Sequence, residues 1–206
     1  MGGLLGMLLA AEPGSPVRSL VMNDVGAFVP GDALAAIARN LRAPRRFATR
    51  SEAEAHLRWT HRDWGEIDDG HWANLVRHGI RKCEDGYRLH YDPRIAQAMV
   101  PMPFVPGLFF WSAWYRVPCP VLLVRGERSD IFPRSVASAM LASKPRAEWV
   151  EIPGAGHAPA LMSEAEIETV RDFLGIEAGA RRMRVSPAGP LRATMGSRTP
   201  RAHGNR

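Results

Sequence analysis

The sequence predicts an α/β protein: a small parallel sheet of three strands flanked by helices and interrupted by a helical insertion. Three observations carry this. Ser19–Asp24 and Pro120–Gly126 are short, nearly unbroken apolar runs, the pattern of parallel strands covered on both faces. Ala147–Ile152 reads as a third strand and leads into the turn Pro153-Gly-Ala-Gly-His157. Strand and helix patterns alternate on both sides of a long helical stretch, as a parallel sheet requires. With 206 residues and 46% hydrophobic content, the chain is large enough to bury a core of its own.

The elements follow in order. Gly2–Ala11 carries Leu4, Leu5, Met7, Leu8 and Leu9 with almost no polar face, which predicts a buried helix ended by Pro13, Gly14 and Pro16. In a sheet of three strands this helix is expected to have nothing to pack against. From Gly31 to about Arg116 the pattern is helical and loop-rich. Helices are predicted over Ala33–Ala43, over Ser51–Trp59 with a Ser51/Glu54 capping box, over His71–Ile80 and over Pro93–Met99. Three prolines make Val100–Gly107 a connector. Beyond the second strand come a helix over Arg134–Ser143, the third strand, and a last helix opened by a Ser163/Glu166 capping box and running to Leu174. The predicted division is a core over 1–29 and 116–174, an insert over 30–115 and a tail over 175–206.

The formal charge of +6 resides in that tail, which holds seven of the 27 basic residues and one of the 21 acidic ones. Its Gly, Pro, Ser, Thr and Ala content without apolar periodicity predicts disorder. The body is neutral and offers no basic face, which argues against a specific nucleic-acid partner. No apolar run reaches the ~18 residues of a membrane span, and the apolar N-terminus lacks the basic lead and cleavage site of a signal peptide. The default expectation is a cytoplasmic protein without membrane contact. Cys83 and Cys119 are too few for a disulfide framework and lack zinc-site spacing. His56, His61, His71 and His78 have no ligand spacing either, so neither metal nor cofactor is expected.

Two loops place ionisable groups beyond the C-terminal ends of predicted parallel strands, where catalytic groups of open α/β sheets gather. They are Gly126-Glu-Arg-Ser-Asp130 and Gly154-Ala-Gly-His157. His157 is the candidate general base and Asp130 the carboxylate that would orient it and stabilise its imidazolium. Asp24, ending the first strand, reads as a turn residue; only the resemblance given below, to a family some of whose members carry the acid after the earlier strand, makes it a second candidate acid. Five of the six Trp fall in the insert. Trp111 and Trp114 are the candidates to line an apolar substrate site; the plainer reading of these aromatics is the insert's own core.

The segments Ser19–Asp24, Pro120–Asp130 and Ile152–Ala158, with a helical insert between the first two, resemble the C-terminal part of α/β-hydrolase-fold enzymes over about Met1–Leu174. The resemblance implies that the insert is a cap over the active site. It also implies hydrolysis of an ester, an amide or an activated carbon–carbon bond of a small apolar substrate through an acyl-enzyme, without cofactor or metal. The family's nucleophile elbow reads Gly-x-Ser-x-Gly and often continues Ser-Met-Gly-Gly, whereas this chain opens Met1-Gly2-Gly3. The serine would thus precede Met1, whose backbone N–H matches one oxyanion-hole donor. Some members carry an Asp nucleophile instead. The expectation is a piece of a longer hydrolase; the alternative is an inactive remnant or interaction module.

Overall fold

A computed structural model describes residues 1–42, 45–95 and 106–176. The chain opens with α1 (Gly2–Ala10) and β1 (Leu20–Asn23). The insert follows as β2 (Phe28–Pro30), α2 (Gly31–Arg42), β3 (Arg46–Phe47), α3 (Arg50–Thr60), α4 (Asp69–Gly79), β4 (Ile80–Cys83), β5 (Gly86–Leu89), β6 (Gly107–Phe109) and α5 (Trp111–Arg116). Then come β7 (Val121–Gly126), α6 (Arg134–Ser143), β8 (Ala147–Ile152) and α7 (Glu164–Phe173).

The three predicted strands form one parallel sheet in the order β1-β7-β8. Leu20 stands opposite Val121, and Val121 opposite Ala147. All six residues of the central β7 are buried, which is why Val121–Val124 reads as an unbroken apolar run; Arg125 after them is buried as well. Around it Met7, Met22, Trp114, Leu123, Phe132 and Met140 form a fully buried core. Trp114 Nε1 satisfies its one donor on Ser143 Oγ at 2.8 Å.

Contrary to expectation, α1 does have a partner. Met7 and Ala10 are buried against the sheet, while Leu5, Leu8 and Leu9 stay exposed. The helix comes close because a glycine faces β1: a Cβ at Gly6 would stand 2.9 Å from Leu20 Cδ1.

The insert departs from the sequence reading in two respects. It is not purely helical, since β2 and β6 pair antiparallel and β3-β5-β4 form a second small antiparallel sheet. Its cap positions also shift. The N-cap of α3 is Thr49, whose side chain accepts from Glu52 N at 3.2 Å, while the Glu52 carboxylate accepts from Ala48 N at 3.0 Å. This reciprocal arrangement sits two residues before the predicted Ser51/Glu54 pair. The Ser163/Glu166 capping box of α7 is present as predicted. Phe47, Ala53, Leu57, Trp72, Val76 and Ile80 give the insert a small core of its own. Most of the predicted Pro93–Met99 helix and Val100–Gly107 connector, and the tail from 177, lie outside the described residues. Among the described residues no helix is long and apolar enough to cross a membrane.

Candidate active site

The end of β1 and the loop after β8 meet at one point. Asp24 directly follows β1, is completely buried, and holds a left-handed backbone conformation with φ of 54°. A non-glycine residue in that region is strained unless its surroundings fix it, and here they do. Its backbone N donates to Val124 O at 2.8 Å. Its side chain accepts from Gly126 N at 2.9 Å and from Ser129 Oγ at 2.6 Å. His157 Nδ1 approaches the same Oδ2 at 2.8 Å.

A carboxylate accepts only, so Nδ1 carries the proton of this bond and the neutral imidazole leaves Nε2 as the acceptor. The His157 side chain is one-third exposed, whereas Asp24 is dry, which places a buried charge behind a base that can reach a ligand. The arrangement can therefore draw a proton onto Nε2 and stabilise the resulting imidazolium.

Two further networks fix the two loops. The buried Arg125 donates Nε to Phe132 O at 2.7 Å, Nη1 to Glu127 O at 2.9 Å and to Glu151 Oε2 at 2.7 Å, and Nη2 to Ser129 O at 3.2 Å. One guanidinium thus ties the 127–132 loop to β8. The His157 loop is held from the insert: Gly156 N donates to Asp63 O at 2.5 Å and Ala160 N to Trp64 O at 2.8 Å. Gly126 is required where the loops touch, since a Cβ there would lie 2.3 Å from Gly156 O.

His157 opens into a cavity of about 690 Å³ between the insert and the sheet loops. Its walls mix apolar groups such as Ala33, Ile37, Trp59 and Ile131 with Arg39, Arg45, Arg62 and Arg128. The lining is thus more charged than the expected apolar one. His56 also faces it; burial first, then the Arg45 guanidinium and His61, hold its imidazole below the ordinary histidine value.

Of the residues singled out from sequence, His157 lies in the loop after β8 and faces the cavity. The carboxylate that meets it, however, is Asp24 and not Asp130. Asp130 is exposed on the cavity wall and has no hydrogen bond to His157. The cause is the preceding residue: Ser129 turns inward to donate to Asp24 and to accept from Phe132 N at 3.1 Å, so its neighbour faces solvent. Neither tryptophan lines this cavity. Trp114 belongs to the core, and Trp111 packs against Tyr115 with ring centroids 5.9 Å apart. Trp59 lines it instead. Met1 caps α1, its carbonyl accepting from Leu4 N and Leu5 N, and is not among the cavity residues. The four arginines went unnoticed in the sequence, where they are dispersed over 90 positions in an arginine-rich chain.

The alpha/beta hydrolase family model matches residues 1–171. A 3-hydroxybutyrate-oligomer hydrolase of Cupriavidus necator is 35% identical over 181 residues, which cover 84% of this chain and 62% of the relative. A candidate hydrolase from Rickettsia typhi superposes with a TM-score of 0.77 at 27% identity, over 86% of this chain and 60% of that one. An alpha/beta hydrolase from Novosphingobium aromaticivorans gives 0.71 at 31% identity, over 85% and 62%. The chain thus spans about three fifths of the length of these relatives. A parallel sheet with a buried carboxylate against an imidazole at its C-terminal edge, and a family match over residues 1–171, lead to one conclusion: this chain belongs to the alpha/beta hydrolase family.

Proposed function

We propose that the protein is part of an esterase that cleaves short hydroxyacyl esters, with His157 as the general base and acid and Asp24 as the carboxylate that orients it. The observation that carries this is the 2.8 Å contact between a fully buried carboxylate and a partly exposed imidazole that opens into a cavity. The name of the 35% identical relative supports an ester of a hydroxy acid as substrate.

The chemistry requires a nucleophile, and the family's serine stands just ahead of a Met-Gly-Gly run like Met1-Gly2-Gly3 at the start of α1. We assign the serine to that place in a longer form of the protein. Its Oγ attacks the ester carbonyl carbon while its proton passes to His157 Nε2. The tetrahedral oxyanion is held by backbone N–H donors, one of them that of Met1. Collapse breaks the C–O bond, and the leaving alkoxide takes the proton from Nε2. Water then attacks the acyl-serine with the same base assisting, and releases the acid and free serine. The insert, over about 30–115, acts as the cap that roofs the cavity.

The test is hydrolysis of the 3-hydroxybutyrate dimer by the full-length protein, followed by product formation, beside its His157→Ala variant. Turnover that the substitution removes supports the reading. Absence of turnover in the parent protein, or its survival in the variant, overturns it.

A further inference from the structure

The cavity that holds His157 has a charge its acid–base pair does not need. Four guanidinium groups line it, Arg39 from α2, Arg45 before β3, Arg62 after α3 and Arg128 after β7, against two carboxylates, Asp63 and Asp130. Asp63 is already engaged, with Arg62 Nη2 at 3.7 Å and Arg128 Nη2 at 3.4 Å. Arg62 also donates to Trp59 O and lies over the Trp59 ring, and Arg128 donates to Gly154 O. These two are anchored. Arg39 and Arg45 form no ion pair among the described residues; His56 lines the same cavity, its imidazole held low by burial first and by the Arg45 guanidinium second. Beside them the wall turns apolar, at Ala33, Ala36, Ile37 and Leu89.

We infer that Arg39 and Arg45 bind a carboxylate at the far end of the substrate, so that the enzyme selects anionic esters over neutral ones of equal length. This rests on the hydrolase reading above and deepens it. A guanidinium matches a carboxylate in planar, two-pronged geometry, and a partly enclosed site strengthens that pairing over its worth in water. The apolar wall suits a short aliphatic chain between the carboxylate and the scissile ester. An ester of a hydroxy acid that ends in a free carboxylate has this form.

The experiment uses the full-length protein and two matched probes, 4-nitrophenyl hydrogen succinate and 4-nitrophenyl butyrate. The expected result is a kcat/KM at least about tenfold higher for the anionic ester, with most of the gain in KM and a steep loss of preference in added salt. In the double variant Arg39→Gln/Arg45→Gln the ratio of the two kcat/KM values should fall by about tenfold or more. The exterior double variant Arg18→Gln/Arg94→Gln, which carries the same change of charge away from the cavity, should leave that ratio where it was. Equal rates for the two esters in the parent protein, or an unchanged ratio in the double variant, would overturn the inference while leaving the hydrolase reading intact.

Binding of the corresponding anilides, succinanilic acid and butyranilide, is measured by calorimetry in parallel. If neither ester turns over, the hydrolase reading fails. A tighter fit of the anionic anilide that the double variant abolishes would then still support the anion site, and equal binding would remove it.

Discussion

Ser129 Oγ donates to Asp24 Oδ2 at 2.6 Å, on the same oxygen that receives His157 Nδ1 at 2.8 Å. One carboxylate oxygen therefore joins the β7 loop to the β8 loop, and the other, Oδ1, takes the Gly126 amide. A carboxylate with three donors in a dry site is fixed in orientation as well as in charge.

The assignment of Asp24 predicts a clear ranking of two aspartates. In the full-length protein, Asp24→Asn should lower kcat by about 10³–10⁴-fold, since an amide cannot fix the tautomer that leaves Nε2 free. Asp130→Asn, on the exposed wall, should change it by less than about tenfold. Steady-state kinetics on one activated ester decides the matter, and the reverse ranking would return the role to Asp130.

Ser129→Ala removes the bond to Asp24 and leaves Phe132 N without its acceptor. Both groups are buried, so the variant should lose about 1–3 kcal/mol in urea unfolding. Its kcat should fall while KM stays near the parent value, because the hydroxyl positions the acid and touches no substrate.

At Gly126 a methyl group would meet the carbonyl oxygens of Gly156 and Ala155 at 2.3 and 2.7 Å. These are backbone atoms, so no side chain can rotate away. Gly126→Ala should cost about 1–3 kcal/mol and shift the His157 loop, giving a joint loss of stability and rate. A variant with the parent's melting temperature would contradict this close packing.

His61 provides a pH signature. Burial lowers its imidazole value, although Nδ1 bonded to Leu57 O at 2.8 Å opposes the shift. The folded state therefore resists a proton that the unfolded chain accepts near the ordinary value of 6.5. Stability from this group is complete above that value and declines as pH falls through it toward the lowered folded value. His56 acts in the same direction. The melting temperature should drop more between pH 7.5 and 5.5 in the parent than in His61→Gln, and parallel curves would disprove the contribution.

The parallel sheet was legible in the sequence because Val121–Val124 is buried on both faces, and burial of that kind writes itself as a continuous apolar run. The insert's small strands were not. β3 has two residues, and β4 and β5 mix Arg, Lys and Tyr with half-exposed positions, so no alternation distinguishes them from loop. The acid was ambiguous for a related reason. Asp24 and Asp130 both lie beyond a parallel strand, and strand position does not say which carboxylate turns inward. The flanks do not separate them either: buried apolar residues follow both, Val25 and Ala27 after Asp24 and Ile131 and Phe132 after Asp130. The N-cap at Thr49 in place of Ser51 shows the same limit, since both residues have a glutamate three positions on, Glu52 and Glu54, and only packing selects the register.

Asp24 and His157 stand 133 residues apart, with the whole insert and the central strand between them. No local segment can bring them together. Their contact forms only when β1 and β8 have both docked on β7, so its formation is limited by topology and pays the loop-closure entropy of most of the chain. During refolding, the His157 imidazole resonance should reach its native position in the last kinetic phase, together with the recovery of activity, which makes this histidine an internal clock for the completion of the fold.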